Sequence, residues 1–195
     1  MTAAVELLRE INDIFQAAAK GDAARVLSAM EDERWHIVQA ALHAVRQHPR
    51  AQYAPAIVKA LARQETLDLY GQKDEVNWPA GVPACGPVER VADIPKHILE
   101  TWKCRWRVKQ AACHALGAIG QACGRGAVAR EAVERMCKYV HGRVDDYQVR
   151  AAACQALGQI GDPAAQAALE IGAADEEFCT KTEAQMALAK LKQTC

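Results

Sequence analysis

The sequence is poor in aromatic residues, with 10 among 195, and has no surplus of either charge: 24 basic residues stand against 24 acidic ones. Balanced charge argues against a protein built to coat a polyanion, which normally carries a basic excess. No run of about 18 apolar residues occurs, which excludes a membrane-spanning helix. The first twenty residues are interrupted by Glu6, Arg9, Glu10 and Asp13 and do not read as a secretory leader. CxxC, HxxxH and HExxH spacings are all missing, as is a glycine-rich phosphate loop; GRGAV at 124–128 reads as a turn before a helix. No Ser-His-Asp set or carboxylate pair stands out either, so neither catalysis, a metal site nor a cofactor is expected. The eight cysteines, with no leader to send them to an oxidising compartment, read as reduced thiols of a cytoplasmic protein.

What is abundant is alanine, 40 residues or about one in five. Alanine is the best helix former and is depleted in strands, so the composition points to an all-α protein with close helix packing. The alanines are also periodic. Residues 106–120, WRVKQAACHALGAIG, and 147–161, YQVRAAACQALGQIG, align at a shift of 41. WHIVQAALHAV at 35–45 is a weaker copy, with Trp35, Gln39 and His43 meeting Trp106, Gln110 and His114; TKTEAQMALAKL at 180–191 is a fourth. Val108, Ala111, Ala112, Ala115, Leu116 and Ile119 fall on one helical stripe. Asp145 and Asp162 are expected to cap helix N-termini, with Gly120 and Gly161 closing the helices before them. Further helical stretches near 51–64, 126–141 and 162–172 alternate with the copies, which defines a repeating helical hairpin of about 30–40 residues.

VRAAACQALGQIGDPAAQAAL at 149–169 and VKQAACHALGAIG at 108–120 resemble the HEAT-like repeats named after phycobilisome lyases. The resemblance covers residues 106–192 well and 22–48 more faintly. It implies an α-solenoid of about four hairpins, with outer helices on a convex side and motif-bearing inner helices near 33–48, 104–119, 145–160 and 178–192 lining a concave one. The helix near 3–19 is expected to cap the N-terminal end of a single domain, residues 1–195. A hairpin alone cannot bury its apolar face, so stacked neighbours supply the core. Residues 66–95 break the pattern with Pro79, Pro83, Pro87 and Pro95 and read as an irregular insertion within the second repeat, between its outer and inner helices. Tyr70 and Trp78 are its candidate anchors or partner contacts.

Charge is distributed unevenly beneath the zero total. Residues 89–150 carry 12 basic and 7 acidic groups, a local +5, between segments of −2 (9 against 11) and −3 (3 against 6). Lys103, Arg105 and Arg107 crowd the start of the second inner helix beside Trp102 and Trp106. Arg107, Gln110 and His114 share a polar face, matched by His36, Gln39 and His43 in the first copy and by Gln148 and Gln155 in the third. Stacked side by side, they would form a polar concave ridge suited to an acidic or phosphate-bearing protein partner. The alternative is a solvated face whose cationic stems pack over the tryptophans. Trp35, Trp106 and Tyr147 occupy one phase, as packing between neighbouring repeats would require. Cys113 and Cys154 replace small apolar residues and are expected to be buried.

These features favour a non-enzymatic interaction scaffold of undetermined oligomeric state. Two other classes follow from resemblance: bilin lyase-like chromophore handling, for which no bilin site is visible, and nucleic-acid binding of the kind found in HEAT-like alkylpurine DNA glycosylases. Against the latter, the cationic excess is small and residues 102–109 contain no carboxylate to serve as a catalytic aspartate.

Overall fold

The computed structural model describes residues 3–71, 96–141 and 146–194. Every regular element among them is helical: α1 (Ala3–Lys20), α2 (Ala23–Met30), α3 (Trp35–Gln47), α4 (Ala54–Gly71), α5 (Lys96–Cys123), α6 (Arg130–His141), α7 (Tyr147–Ile160), α8 (Gln166–Ala173) and α9 (Phe178–Thr194), with short 3-10 turns before α4, α6 and α8.

The helices form two layers. α1, α3, α5, α7 and α9 stack successively along the inner layer. α2, α4, α6 and α8 lie outside, and each packs on the inner helix that follows it, giving the hairpins α2/α3, α4/α5, α6/α7 and α8/α9. α1 covers the first of these. This is an α-solenoid, as the periodicity requires. Residues 72–95, which join α4 to α5 and hold most of the expected insertion, lie outside the described residues. The six residues before them continue α4 to Gly71.

The alanine-rich stripe is the seam between layers. Val108, Ala111, Ala112, Ala115, Leu116 and Ile119 are all buried, as are their counterparts Val149, Ala152, Ala153, Ala156, Leu157 and Ile160, in a core running from Ile14 to Leu191. Cys113 and Cys154 are fully buried within it. Burial pushes the Cys154 thiol up to about 12, so it packs as a small protonated hydrophobe.

Small residues set the inner-layer spacing. A Cβ on Gly158 would lie 2.6 Å from the Ala187 Cβ, and one on Gly120 would lie 2.6 Å from the Ile160 Cγ1. Gly120 is therefore an interior packing residue and not the C-cap that the sequence suggests; α5 runs on to Cys123, and Gly124, at φ 85°, follows it. Gly161 does end α7, in the left-handed conformation at φ 70°. The α7 N-cap is Asp146, whose carboxylate accepts from the Gln148 backbone N–H at 2.9 Å, while Asp145 lies outside the described residues. Asp162 caps the turn before α8, accepting from Ala164 N at 2.9 Å, with Pro163 in the first turn.

Candidate functional site

The repeats share an aromatic residue at one position of the inner helices α3, α5, α7 and α9. Trp35, Tyr147 and Phe178 open α3, α7 and α9, and Trp106 occupies the same phase inside α5. The row becomes progressively more exposed: Trp35 and Trp106 are partly buried against the core, Tyr147 is 40% exposed and Phe178 77%. The next residue in each helix forms a second row, His36, Arg107, Gln148 and Cys179.

Between α3 and α5 this second row closes the gap. The Arg107 guanidinium carbon lies 5.0 Å from the Trp106 ring centroid and 5.7 Å from that of Trp35, so one cation bridges two faces. His36 meets the Trp35 ring edge-on at 5.6 Å. Between α7 and α9 the corresponding residue is Cys179, short and exposed. Between α5 and α7 it is Gln148, whose amide donates to the hydroxyl of its own neighbour Tyr147 at 3.3 Å.

A cleft of about 400 Å³ opens below these last two gaps. Four inner helices contribute to it: Arg46 from α3, Gln110 and His114 from α5, Tyr147, Gln148 and Gln155 from α7, and Cys179 and Glu183 from α9. His114 is pushed down to about 4, first by burial and then by the positive charge of Arg46 and the proximity of His43; a hydrogen bond with Gln155 opposes the shift. His43 is lowered for the same leading reason, burial, with Arg46 contributing. Both imidazoles are thus neutral at pH 7. The cleft offers amide and imidazole hydrogen bonding in the middle, a cation toward α3 and a carboxylate on α9.

The expected ridge residues separate into groups. Gln110, His114 and Gln148 come together in the cleft. His43 approaches His114 from α3, and Gln39, half-buried, precedes it by one turn on the same helix. Arg107 sits over the two tryptophans, and Arg105 is half-buried and engaged in an interaction. The Lys103 and Tyr70 side chains are not described, and Trp78 lies outside the described residues.

Much of the local positive charge in residues 89–150 is used internally. Lys109 is buried with its ammonium 5.1 Å from the Tyr139 ring centroid. Arg135 pairs with Glu131 at 2.8 Å and with Glu65 of α4, and Glu65 also accepts from the Tyr139 hydroxyl at 2.6 Å. Arg150, 8% exposed, donates to both oxygens of Asp175, at 2.8 and 3.1 Å.

Residues 96–189 match the family model of HEAT repeats. That stretch, α5 to α9, is HEAT-like repeat structure, and it includes most of the cleft. Compared with curated proteins, the chain finds no match. Among the described residues, no helix is long and apolar enough to cross a membrane, and no group of three His, Cys, Asp or Glu side chains is placed to hold a metal.

Two cleft residues, Arg46 and Glu183, and the exposed Phe178 next to cleft-lining Cys179 escape a motif-based reading. Arg46 lies beyond the alignable core of the first copy. Glu183 occupies the phase filled by buried Ala111 and Ala152 in other copies. Phe178 precedes the fourth copy by two residues; the shift of 31 that relates Val149 to Thr180 also carries Tyr147 onto Phe178.

Proposed function

We propose that the chain is a non-catalytic interaction scaffold of the HEAT-like kind, in the phycobilisome-lyase subgroup of such repeats, that takes a protein partner along its concave inner-helix face. The observation that carries this reading is the shared cleft. Successive inner helices converge on one polar depression whose charged residues, Arg46 and Glu183, have no ion-pair partner among the described residues. A side-chain carboxylate or phosphate of the partner belongs at the Arg46 end, where the neutral His43 and His114 add hydrogen bonding without competing charge. Gln110, Gln148 and Gln155 both donate and accept, which suits the alternating N–H and C=O groups of a polypeptide. The segment 66–95, with Trp78, is the proposed second contact.

The reading also accounts for the balanced total charge. Binding depends on local complementarity, with the global field contributing little. The cytoplasm, where the thiols stay reduced, is the proposed setting.

The test is a pair of photo-cross-linking residues placed at Gln148, in the cleft, and at Lys138, exposed on outer helix α6. Each variant is incubated in extract of the source cell and adducts are identified by mass spectrometry. The expected result is a discrete protein adduct from position 148 that position 138 does not give. Equal labelling from both positions, or none from position 148, would contradict the proposal.

A further inference from the structure

The aromatic row contains its own example of how a cation binds it. In the first gap, the side chain following the aromatic of α5 is arginine, and its guanidinium lies against both Trp106 and the preceding Trp35. In the last gap the aromatics are Tyr147 and Phe178, and the residue in the arginine's position is Cys179, four heavy atoms shorter at its tip than the guanidinium nitrogens require. Both rings are exposed, Phe178 to 77%, which is unusual for a phenylalanine at a helix start. One turn along the same face of α9, Glu183 lines the cleft. Tyr147 and Glu183 thus line the cleft at this joint, Phe178 is the repeat equivalent of Trp106, Arg150 of the same joint is engaged by Asp175, and Cys179 stands where the first joint has a cation.

From this juxtaposition we infer that the α7/α9 gap is a receptor for an arginine side chain of the polypeptide partner. The guanidinium enters above Cys179 in the place that Arg107 holds two joints earlier. It stacks on Tyr147 beside Phe178 and donates to the Glu183 carboxylate. Guanidinium is favoured over ammonium because it is planar, more weakly hydrated and able to stack and donate at once. With Arg46 at the opposite end of the cleft, the bound segment carries an acidic residue toward α3 and an arginine toward α9. Inner helices of this packing class lie about 8–10 Å apart. Three such steps span roughly 30 Å and the ten-residue offset of Arg46 down α3 adds about 15 Å along the axis, so the two ends are about 34 Å apart, a span that an extended chain rising about 3.3 Å per residue covers in about ten residues. A nucleic acid is disfavoured because Glu183 repels phosphate.

The inference rests on the proposed concave-face reading, and the two can fail separately. The probes are fluorescein-labelled Gly/Ser decapeptides with a central arginine, lysine, glutamate or citrulline, citrulline being the neutral isostere of arginine. Binding to the full-length chain is read by fluorescence anisotropy at low salt. Expected is an order arginine, lysine, citrulline, glutamate, with arginine about tenfold tighter than citrulline. Glu183→Gln should weaken the arginine peptide about 3- to 10-fold and leave the citrulline peptide unchanged. Tyr147→Ala should weaken it similarly and Tyr147→Phe should restore binding, which separates loss of the ring from loss of the fold. Equal affinity for arginine and citrulline peptides, or no binding of either up to millimolar concentration, would overturn the inference. So would tighter binding of an oligothymidylate, or self-association of the chain abolished by Glu183→Gln, each of which puts a different occupant in the gap. If the peptides fail while position 148 still cross-links a protein, the scaffold reading stands and only the arginine receptor falls.

Discussion

The joint between α3 and α5 and the joint between α7 and α9 are built from the same repeat positions, yet one is closed and the other open. At the first, the exposed Arg107 lies over the rings of both Trp35 and Trp106, and the row is satisfied from within. At the second, Tyr147, Phe178 and Cys179 occupy the equivalent positions, and the stacking role passes elsewhere: Arg150 clamps Asp175, the Thr180 hydroxyl donates to the Tyr147 carbonyl at 3.3 Å, and Gly158 admits Ala187. Cohesion and recognition can therefore be separated in a solenoid. Where an internal ion pair and close backbone approach hold the layers, the aromatic row is released for a ligand.

The largest effect on this contrast should come from removing the support of the open joint. Asp175→Asn retains a side-chain acceptor for the Glu177 backbone N–H but removes the charge that Arg150, nearly buried, grips with two hydrogen bonds. A loss of about 3 kcal/mol in unfolding free energy is expected, measured by urea denaturation. A cost below about 1 kcal/mol would show that solvent or a neighbouring carboxylate substitutes for Asp175.

Opening the closed joint should cost less. Arg107→Ala removes one cation from two ring faces at a partly exposed site, worth about 1 kcal/mol. Tryptophan fluorescence should shift as Trp35 and Trp106 gain water, while far-ultraviolet dichroism stays helical. If neither stability nor emission changes, the arginine is a solvated surface residue and the comparison between joints loses its reference.

The smallest effect concerns pH. His114 binds its proton more weakly when folded (at about 4) than as a free imidazole near 6.5. Below 6.5 the unfolded chain takes up a proton that the folded chain refuses, so this residue's contribution is intact above pH 6.5 and is lost as pH falls toward 4. After allowance for its partial exposure, the loss is about 1–2 kcal/mol. His114→Gln should flatten the stability profile over that interval. Paired carboxylates such as Asp32 and Glu10, both lowered chiefly by hydrogen bonds from Arg34, leave a residual acid sensitivity in either protein. An unchanged slope in the variant would place His114 in water.

The fold was legible because the code for stacking is local and repeated. Val108, Ala111, Ala115, Leu116 and Ile119 recur at fixed offsets, and their small members state how closely helices must approach. The same code misled at Gly120, since glycine serves helix ends and tight helix crossings alike and only the neighbour, Ile160, decides between them. Lys109 and Arg150 align as equivalent cations, but one lies over a tyrosine ring and the other grips an aspartate. Those partners come from α6 and from the connection between α8 and α9, and carry no mark in the local sequence. The candidate site was legible in its middle, at Gln110, His114 and Gln148, where the repeats align. It was hidden at both charged ends, because Arg46 and Glu183 depart from the repeat pattern. In a solenoid, individual departures of this kind mark where one repeat differs in task from its neighbours.

Cys179→Arg tests the central distinction most directly. It installs in the open joint the residue that closes the first one. The variant should keep or slightly raise the unfolding free energy and should lose at least tenfold in affinity for the arginine decapeptide, since its own guanidinium fills the space between Tyr147 and Phe178. Undiminished peptide binding by a folded Cys179→Arg protein would contradict the account.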